Sequence, residues 1–307
     1  MTTAEAPPAT LRRLPIIGWW RDPWRKPRLL AALAWTYVAW TLLPVAMAIG
    51  MSFNSGRSNA VWQGFSFQWW WGHPVFDPQG SLFVDPELHA AIFQSLRLSI
   101  LATAVAVPLG VCFAIGLDRW HGRPAAGANL LMMLSFILPE IIGGVAMFMV
   151  FTFLLKFIHL GTVAQLLGLI TFEISYPVII VRARLLSIDK DVEDAAMDLG
   201  ASPTQAVRRV LLPLLYPAIF ASAALVFAGT IDDFITVRYL SGSASSEPLA
   251  VKIYNFSRGT PTPAMNAATT FMLLSTLVVV AVALAGYLRV TRGQRQEANE
   301  AIGGALF

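Results

Sequence analysis

Six apolar stretches, each long enough to cross a bilayer as a helix, take up more than half of this 307-residue chain. A helix crosses about 30 Å of hydrocarbon with roughly 20 residues. Only 13% of the residues are charged, far fewer than a soluble domain of this size carries. The sequence therefore favours an all-α polytopic membrane protein over a soluble globular enzyme, with transmembrane helices at residues 29–51, 92–117, 127–155, 160–186, 212–238 and 265–288.

The Lys and Arg residues predict the orientation of these helices. With the N-terminus inside, 16 of the 22 basic residues fall on the cytoplasmic side and 6 on the other. Short cytoplasmic loops of membrane proteins carry such an excess. We therefore expect a plasma-membrane protein with a cytoplasmic tail at 1–28, a transmembrane domain at 29–290 and a second cytoplasmic tail at 291–307. The first helix should stay in the membrane, because about 28 residues precede it and no small-residue cleavage site follows it.

Nothing in the chain indicates catalysis or a bound cofactor. The single cysteine, Cys112, lies in an apolar run, and the four histidines are scattered without ligand spacing. No phosphate-binding pattern G-x-x-x-x-G-K-[ST] is present, and no basic stripe suggests nucleic acid. We expect no catalytic residue, no metal site and no nucleic-acid partner.

The predicted outer loop at 52–91 is rich in tryptophan, with Trp62, Trp69, Trp70 and Trp71. Such residues favour the boundary between membrane and water. They are interpreted as an interfacial belt, and a docking surface for a partner is the alternative.

A polar insert at 187–212 interrupts the apolar pattern between the fourth and fifth stretches. Asp189 can cap a helix with three acids in its first turn, and Gly200 suits the left-handed position after the helix end. Residues 202–205 then form a potential capping box, and Pro213 marks the entry into the fifth span. We expect two short helices that either bind a partner or lie on the membrane. The acidic first half disfavours the membrane surface, because helices on anionic lipid are basic.

The insert carries the run E-D-A-A-M-D-L-G at 193–200, followed by V-L-L-P at 210–213. This pattern resembles the EAA loop of permease subunits in bacterial binding-protein-dependent ABC importers. Asp194 replaces the first alanine and Val210 an isoleucine, and both changes keep the helix and its apolar face. The resemblance implies a coupling helix that sits in a groove of the ATPase. The residues agree, because a helix that exposes acids and an apolar face can be held in a groove by packing and by an ion pair from Glu193. The residues that the resemblance assigns to coupling are Glu193, Ala195, Ala196, Gly200 and Pro213.

Further segments at 52–54, 138–141, 232–233 and 248–254 are similar to the spermidine/putrescine permeases of the PotC type in that family. The resemblance implies the type I ABC importer permease fold. It also implies a heteromeric complex in the bacterial inner membrane. This permease would pair with a sister permease, two copies of a cytoplasmic ATPase that binds ATP and magnesium, and an extracytoplasmic substrate-binding protein.

Acidic residues within the predicted spans are the candidates for a substrate path, because ionisable groups in a membrane are costly and usually functional. Glu140 lies near the midplane of the third span, and Asp232 and Asp233 lie near the outer mouth of the fifth. These three carboxylates predict a path for a cation. Glu140 could instead form a structural hydrogen bond beside Pro139, and the two aspartates could lie in the outer loop.

The function expected from these features is ATP-driven import of a small cationic solute, with a polyamine as the first choice. Ferric iron, thiamine, an opine or an oxyanion are alternative cargoes for the same architecture. A secondary transporter driven by an ion gradient is a further alternative, although the chain shows no internal repeat of the kind typical of such folds.

Overall fold

The computed structural model describes residues 28–72, 80–120, 122–189, 191–258 and 263–304, with side chains from 29 to 289. Within these ranges the regular structure is helical, apart from one isolated antiparallel bridge between Asn54 and Phe65. Two π-helical turns, Val150–Leu154 and Val207–Leu211, and one 3-10 turn, Ala244–Ser246, join longer helices. The α-helices are α1 Arg28–Met51, α2 Gln68–Trp71, α3 Pro86–Arg119, α4 Arg123–Ile137, α5 Glu140–Met149, α6 Thr162–Glu173, α7 Ser175–Leu185, α8 Asp191–Asp198, α9 Pro203–Ala206, α10 Leu212–Asp232, α11 Ile235–Leu240, α12 Leu249–Arg258 and α13 Pro263–Gly304.

The chain divides into two units, one up to Met47 and one from Ala48 onward. The described part of the first unit belongs to α1, and its side chains from Leu29 to Met47 are all exposed. A helix that is apolar on every side is typical of a membrane span. Across the described residues, five helices are long and apolar enough to cross a membrane, and the pair α4–α5 makes six if it is one span.

The prediction of one continuous third span at 127–155 is wrong, because α4 and α5 meet at an angle of 109°. Leu138 and Pro139 between them have extended backbones, with ψ of 131° at both residues. The proline ring excludes the helical conformation from the residue before it, and proline has no N–H to continue the helix. The break makes Glu140 the first residue of α5.

The fifth span also differs from its predicted bounds of 212–238. The second helix of the polar insert is not separate, because a continuous helical segment runs from Pro203 to Asp232. The Leu212 N–H bonds to the carbonyl of Val207, which gives the π-helical turn just before Pro213. A wider turn at this point accommodates a proline, whose ring crowds the carbonyl four residues earlier. The sixth helix extends well past its predicted end, to Gly304.

The main core of the second unit lies where α3, α7 and α10 pack together, around residues such as Val111, Val181 and Leu215. Gly110 allows a close approach of α3 and α7, because a Cβ atom there would lie 2.5 Å from the ring of Pro177. Small residues at such contacts are typical of helix packing in membranes.

The aromatic loop packs on itself and on the bundle. Trp70 is buried and stacks on Phe53 with ring centroids 5.5 Å apart, and the Trp69 indole donates to the Asn54 carbonyl at 2.7 Å. The interpretation of this loop as an interfacial belt is therefore wrong for Trp70, whereas Trp62 and Trp71 are exposed.

Gln165 in α6 is a fully buried side chain that joins three parts of the second unit. Its amide nitrogen donates to the carbonyls of Val237 and Ser246 and to the Ser241 hydroxyl, at 2.9 to 3.2 Å. Its oxygen accepts from Gln94 in α3 at 3.0 Å. This network fixes α11 and the turn after it against α3 and α6.

We predict that Gln165→Leu lowers the melting temperature of the purified protein, because each buried polar group left unpaired costs about 1–3 kcal/mol. The change in melting temperature is measured by thermal unfolding, monitored with a fluorescent dye that does not react with thiols. Thr171→Val is the matched control, since its exposed hydroxyl bonds only to Leu167 of its own helix. Equal melting temperatures for the Gln165 variant and the control would contradict the role of the network.

Candidate functional site

The first half of the polar insert forms as its local sequence predicts. The Asp189 carboxylate accepts from the N–H of Asp191 at 3.3 Å and caps α8, whose first turn is acidic. At the other end Gly200 has a φ of +89°. The Gly200 N–H bonds to Met197 O at 2.9 Å and the Ala201 N–H to Ala196 O at 3.1 Å. These two bonds form the Schellman motif that ends helices at a left-handed residue.

The second half begins at the predicted capping box. The Gln205 N–H donates to the Ser202 hydroxyl at 3.4 Å, and the Ser202 N–H donates to the Gln205 side chain at 3.0 Å. Pro203 occupies the first turn, where its missing N–H costs nothing. The chain therefore reverses sharply between α8 and the helix that leads through Pro213 into the membrane.

An apolar stripe on α8 and on Leu199, the residue directly after it, is mostly exposed. Val192, Ala195, Ala196 and Leu199 recur at the spacing of one helix face, and Leu199 is 91% exposed. No residue of α8 is buried by the described part of the chain. This stripe has the form of a surface that packs into a groove of another protein.

Glu193 has a partner within the described part of the chain. Its carboxylate forms an ion pair with Arg119 at the end of α3, within the same chain. The structure thus gives Glu193 a partner in the permease itself, so that it ties the insert to the cytoplasmic end predicted for α3. Its pairing with an ATPase stays a prediction.

The candidate path residues fall at breaks between helices. Glu140 is exposed at the start of α5, and Asp232 is exposed at the end of α10. Asp233 follows it and caps α11, because its Oδ1 accepts from the N–H groups of Thr236 at 2.8 Å and Val237 at 3.4 Å. The structure assigns no hydrogen bond to the Glu140 carboxylate among the described residues.

The depth of the aspartates differs from the prediction that they lie at the outer mouth. α11 runs alongside the first half of α6, since the Gly161 N–H bonds to Leu240 O at 2.8 Å and Thr236 packs against Gly168. Asp233, at the other end of α11, is close enough to Glu173 for their charges to interact. Glu173 is the twelfth residue of the 24-residue span Thr162–Leu185, so Asp233 lies level with its middle.

Glu173 itself was missed by the sequence reasoning. The structure brings it together with Glu140 and Asp233, because all three carboxylates interact electrostatically with one another. The signal was a lone acid in the middle of an apolar span, which marks a functional candidate as strongly as Glu140 does.

A groove of about 810 Å³ lies along α11 and reaches Tyr254 of α12. Its lining includes Ile141 and Phe234, which directly follow Glu140 and Asp233, whereas the two acids themselves do not line it. Its wall includes Tyr239 and Tyr254. Beside them lies an ion pair between Arg238 and Glu247 at 3.2 Å.

Spanning helices, a helix pair with an exposed apolar stripe and acidic residues within the spans are together typical of a membrane transport subunit. The chain belongs to the family of binding-protein-dependent transport system inner membrane components, whose match covers residues 106–296. It is therefore a multi-pass inner-membrane permease of an ABC importer and not an enzyme. This membership also removes the alternative of a gradient-driven secondary transporter.

Curated relatives cover most of the chain. The putrescine transport system permease protein PotI of Escherichia coli K12 is 28% identical over 298 residues, which are 94% of this chain and 98% of PotI. The spermidine/putrescine transport system permease protein PotC of the same strain is 30% identical over 79% of this chain and 87% of PotC.

The fold is shared with solved importers. A bacterial ABC transporter involved in the import of the acidic polysaccharide alginate has a chain that matches with a TM-score of 0.63 and 18% identity. The match covers 86% of this chain and 96% of that one. The predicted importer permease fold is therefore confirmed.

Proposed function

We propose that this permease imports a polyamine, spermidine or putrescine, and that Glu140, Asp232 and Asp233 line its path. The proposal rests on Glu140 and Asp233 being close enough for their charges to interact, while the residues directly after them, Ile141 and Phe234, line the groove. Two opposite charges about 4 Å apart attract by about 4 kcal/mol at an effective dielectric near 20. The relatives named for putrescine and spermidine support a cationic cargo.

The remaining machinery belongs to partner subunits. We place a sister permease beside this chain, an ATPase homodimer with ATP and magnesium on the cytoplasmic side, and a substrate-binding protein outside. Both termini of this chain would be cytoplasmic. The coupling surface would comprise Glu193, Ala195, Ala196, Gly200 and Pro213, with the uncovered stripe of α8 in the ATPase groove.

In this mechanism the ATPase dimer closes on ATP and draws the two coupling helices together. The bundle then opens outward beneath the docked binding protein. The polyamine leaves its binding protein, enters the groove past the tyrosines and reaches the carboxylates. Hydrolysis of ATP reverses the motion and releases the cation inside.

The cargo is tested on the cognate binding protein by isothermal titration calorimetry. We expect binding of spermidine or putrescine and none of thiamine, ferric iron, an opine or an oxyanion. Binding of one of those four instead of a polyamine would overturn the proposed cargo and leave the permease family intact.

The ion pair between Glu193 and Arg119 gives a prediction about coupling. We expect Glu193→Ala to lower uptake by the reconstituted complex about two- to fivefold, because a partly exposed pair contributes about 0.2–1 kcal/mol. Arg119→Ala should give a similar loss, and Asp198→Ala on the same helix serves as control. The exchange Glu193→Arg with Arg119→Glu should recover part of the uptake.

Assembly of the complex should be nearly unchanged in these variants, since one ion pair is a small part of a packed interface. Uptake in Glu193→Ala equal to that in the Asp198 control, at equal expression, would remove Glu193 from the coupling device.

A further inference from the structure

Glu173 contributes the one carboxylate oxygen among the five buried side-chain atoms that have no hydrogen-bond partner in the described part of the chain. Glu173 is only 8% exposed, and its Oε2 is fully buried without a hydrogen bond in the described part of the chain. A buried polar atom without a partner costs roughly 1–3 kcal/mol, and an unpaired buried charge costs more. A buried carboxylate that carries this free-energy cost indicates a partner that is not part of the described chain, such as a transported solute.

The surroundings of Glu173 are acidic on two sides. Gly143, three residues after Glu140, packs against the ring of Phe172, and Thr236, three residues after Asp233, packs against Gly168 of the same helix. Glu140 and Asp233 therefore both lie close enough to Glu173 for their charges to interact. The ion pairs found in the described residues join Arg119 to Glu193, Arg238 to Glu247 and Lys252 to Glu87, so none of them neutralises this cluster. A mobile cation could therefore supply the positive charge that these three carboxylates lack.

Two further features fit an organic ammonium. A Cβ atom added at Gly229 of α10 would lie 2.9 Å from Glu173 Oε1, so the glycine provides the space that the carboxylate occupies. Tyr176, one turn after Glu173, also interacts with Glu173 and Glu140, and its ring packs edge-on against Phe136 at 5.6 Å. Carboxylates beside aromatic rings provide both charge and cation–π attraction to an ammonium group.

We propose that Glu173 completes a three-carboxylate site with Glu140 and Asp233, and that this site holds an ammonium group of the polyamine midway across the membrane. The inference deepens the proposed function and rests on it. It assigns the central position to Glu173, a residue of the fourth span. No side chain of that span lines the 810 Å³ groove along α11. The cation would pass from the groove, past Ile141 and Phe234, to the buried carboxylate.

The test uses the complete transporter with its sister permease, ATPase and binding protein, reconstituted in vesicles loaded with ATP. Uptake of labelled spermidine and putrescine is measured together with ATP hydrolysis. For Glu173→Gln, which keeps the volume and removes the charge, we expect about a tenfold fall in polyamine transported per ATP hydrolysed. Hydrolysis stimulated by the binding protein should stay near the wild-type rate, and Glu173→Asp should restore part of the transport.

Glu87→Gln is the matched control, because this acid pairs with Lys252 at 2.9 Å and lies outside the cluster. Gly229→Ala is a second variant that displaces the Glu173 carboxylate without altering its charge, and it should also lower transport per ATP. A purely structural role predicts that uptake, hydrolysis and thermal stability fall together in Glu173→Gln. That result, or a transport ratio equal to that of the Glu87 control in both variants, would overturn the site.

The two proposals fail in different ways. If the wild-type complex takes up neither spermidine nor putrescine, the proposed function is wrong. If the wild type transports them and the Glu173 and Gly229 variants match the control, only the three-carboxylate site is wrong.

Discussion

Gly200→Val is expected to abolish uptake and the ATP hydrolysis that the loaded binding protein stimulates, while the permease still inserts into the membrane. Gly200 has a φ of +89°, a conformation that costs L-residues roughly 1–2 kcal/mol. A β-branched side chain is worse in this region, and losing the conformation would also break the two bonds of the Schellman motif. The turn that presents α8 to the ATPase would then be lost.

The structure shows that this effect is conformational and not steric, because a Cβ atom at Gly200 would meet nothing within 4 Å. Gly127→Val is the matched control, since Gly127 is equally open but has no positive φ. Gly200→Asn should retain much of the activity, because asparagine tolerates the left-handed region. Full stimulated hydrolysis in Gly200→Val would contradict the assignment of this turn to coupling.

Removing the charge of Glu140 or Asp233 is expected to lower polyamine uptake at least tenfold without affecting binding by the external protein. The reason is electrostatic, since an ammonium that leaves water needs opposite charge within a few ångströms, worth a few kcal/mol per pair. Glu140→Gln, Asp233→Asn and the double change Asp232→Asn with Asp233→Asn are measured in vesicles at saturating binding protein.

The cap at α11 makes the aspartate variant informative. Asparagine keeps the oxygen that accepts from Thr236 and Val237, so Asp233→Asn should leave thermal stability nearly unchanged. Asp233→Ala removes both charge and cap and should also lower the melting temperature. Wild-type uptake in Glu140→Gln and Asp233→Asn would mean that other groups line the cation path.

The coupling segment could be predicted residue by residue because its determinants are local. Asp189 caps α8, Gly200 ends it and the Ser202–Gln205 box starts the next helix, and each contact lies within a few residues. Average hydropathy, in contrast, does not register the break at Pro139, because the apolar residues continue on both sides of it. Pro139 is present in the sequence, but whether it breaks the helix depends on whether neighbouring helices stabilise a bend.

The acidic site was only half predictable. Glu140 and Asp233 could be singled out as acids in apolar spans, but their meeting depends on α11 running back along α6. That arrangement is fixed by long-range contacts such as those of Gln165, which no sequence window contains. The ion pair of Glu193 with Arg119 is likewise outside any sequence window, because the two residues are 74 positions apart.

The most direct test of the account is uptake of labelled spermidine by the complete complex in ATP-loaded vesicles, with the cognate binding protein outside. We predict accumulation that requires ATP and the binding protein, is inhibited by excess putrescine and falls sharply in Glu140→Gln. Accumulation of thiamine, ferric iron, an opine or an oxyanion, with no uptake of spermidine or putrescine, would contradict it.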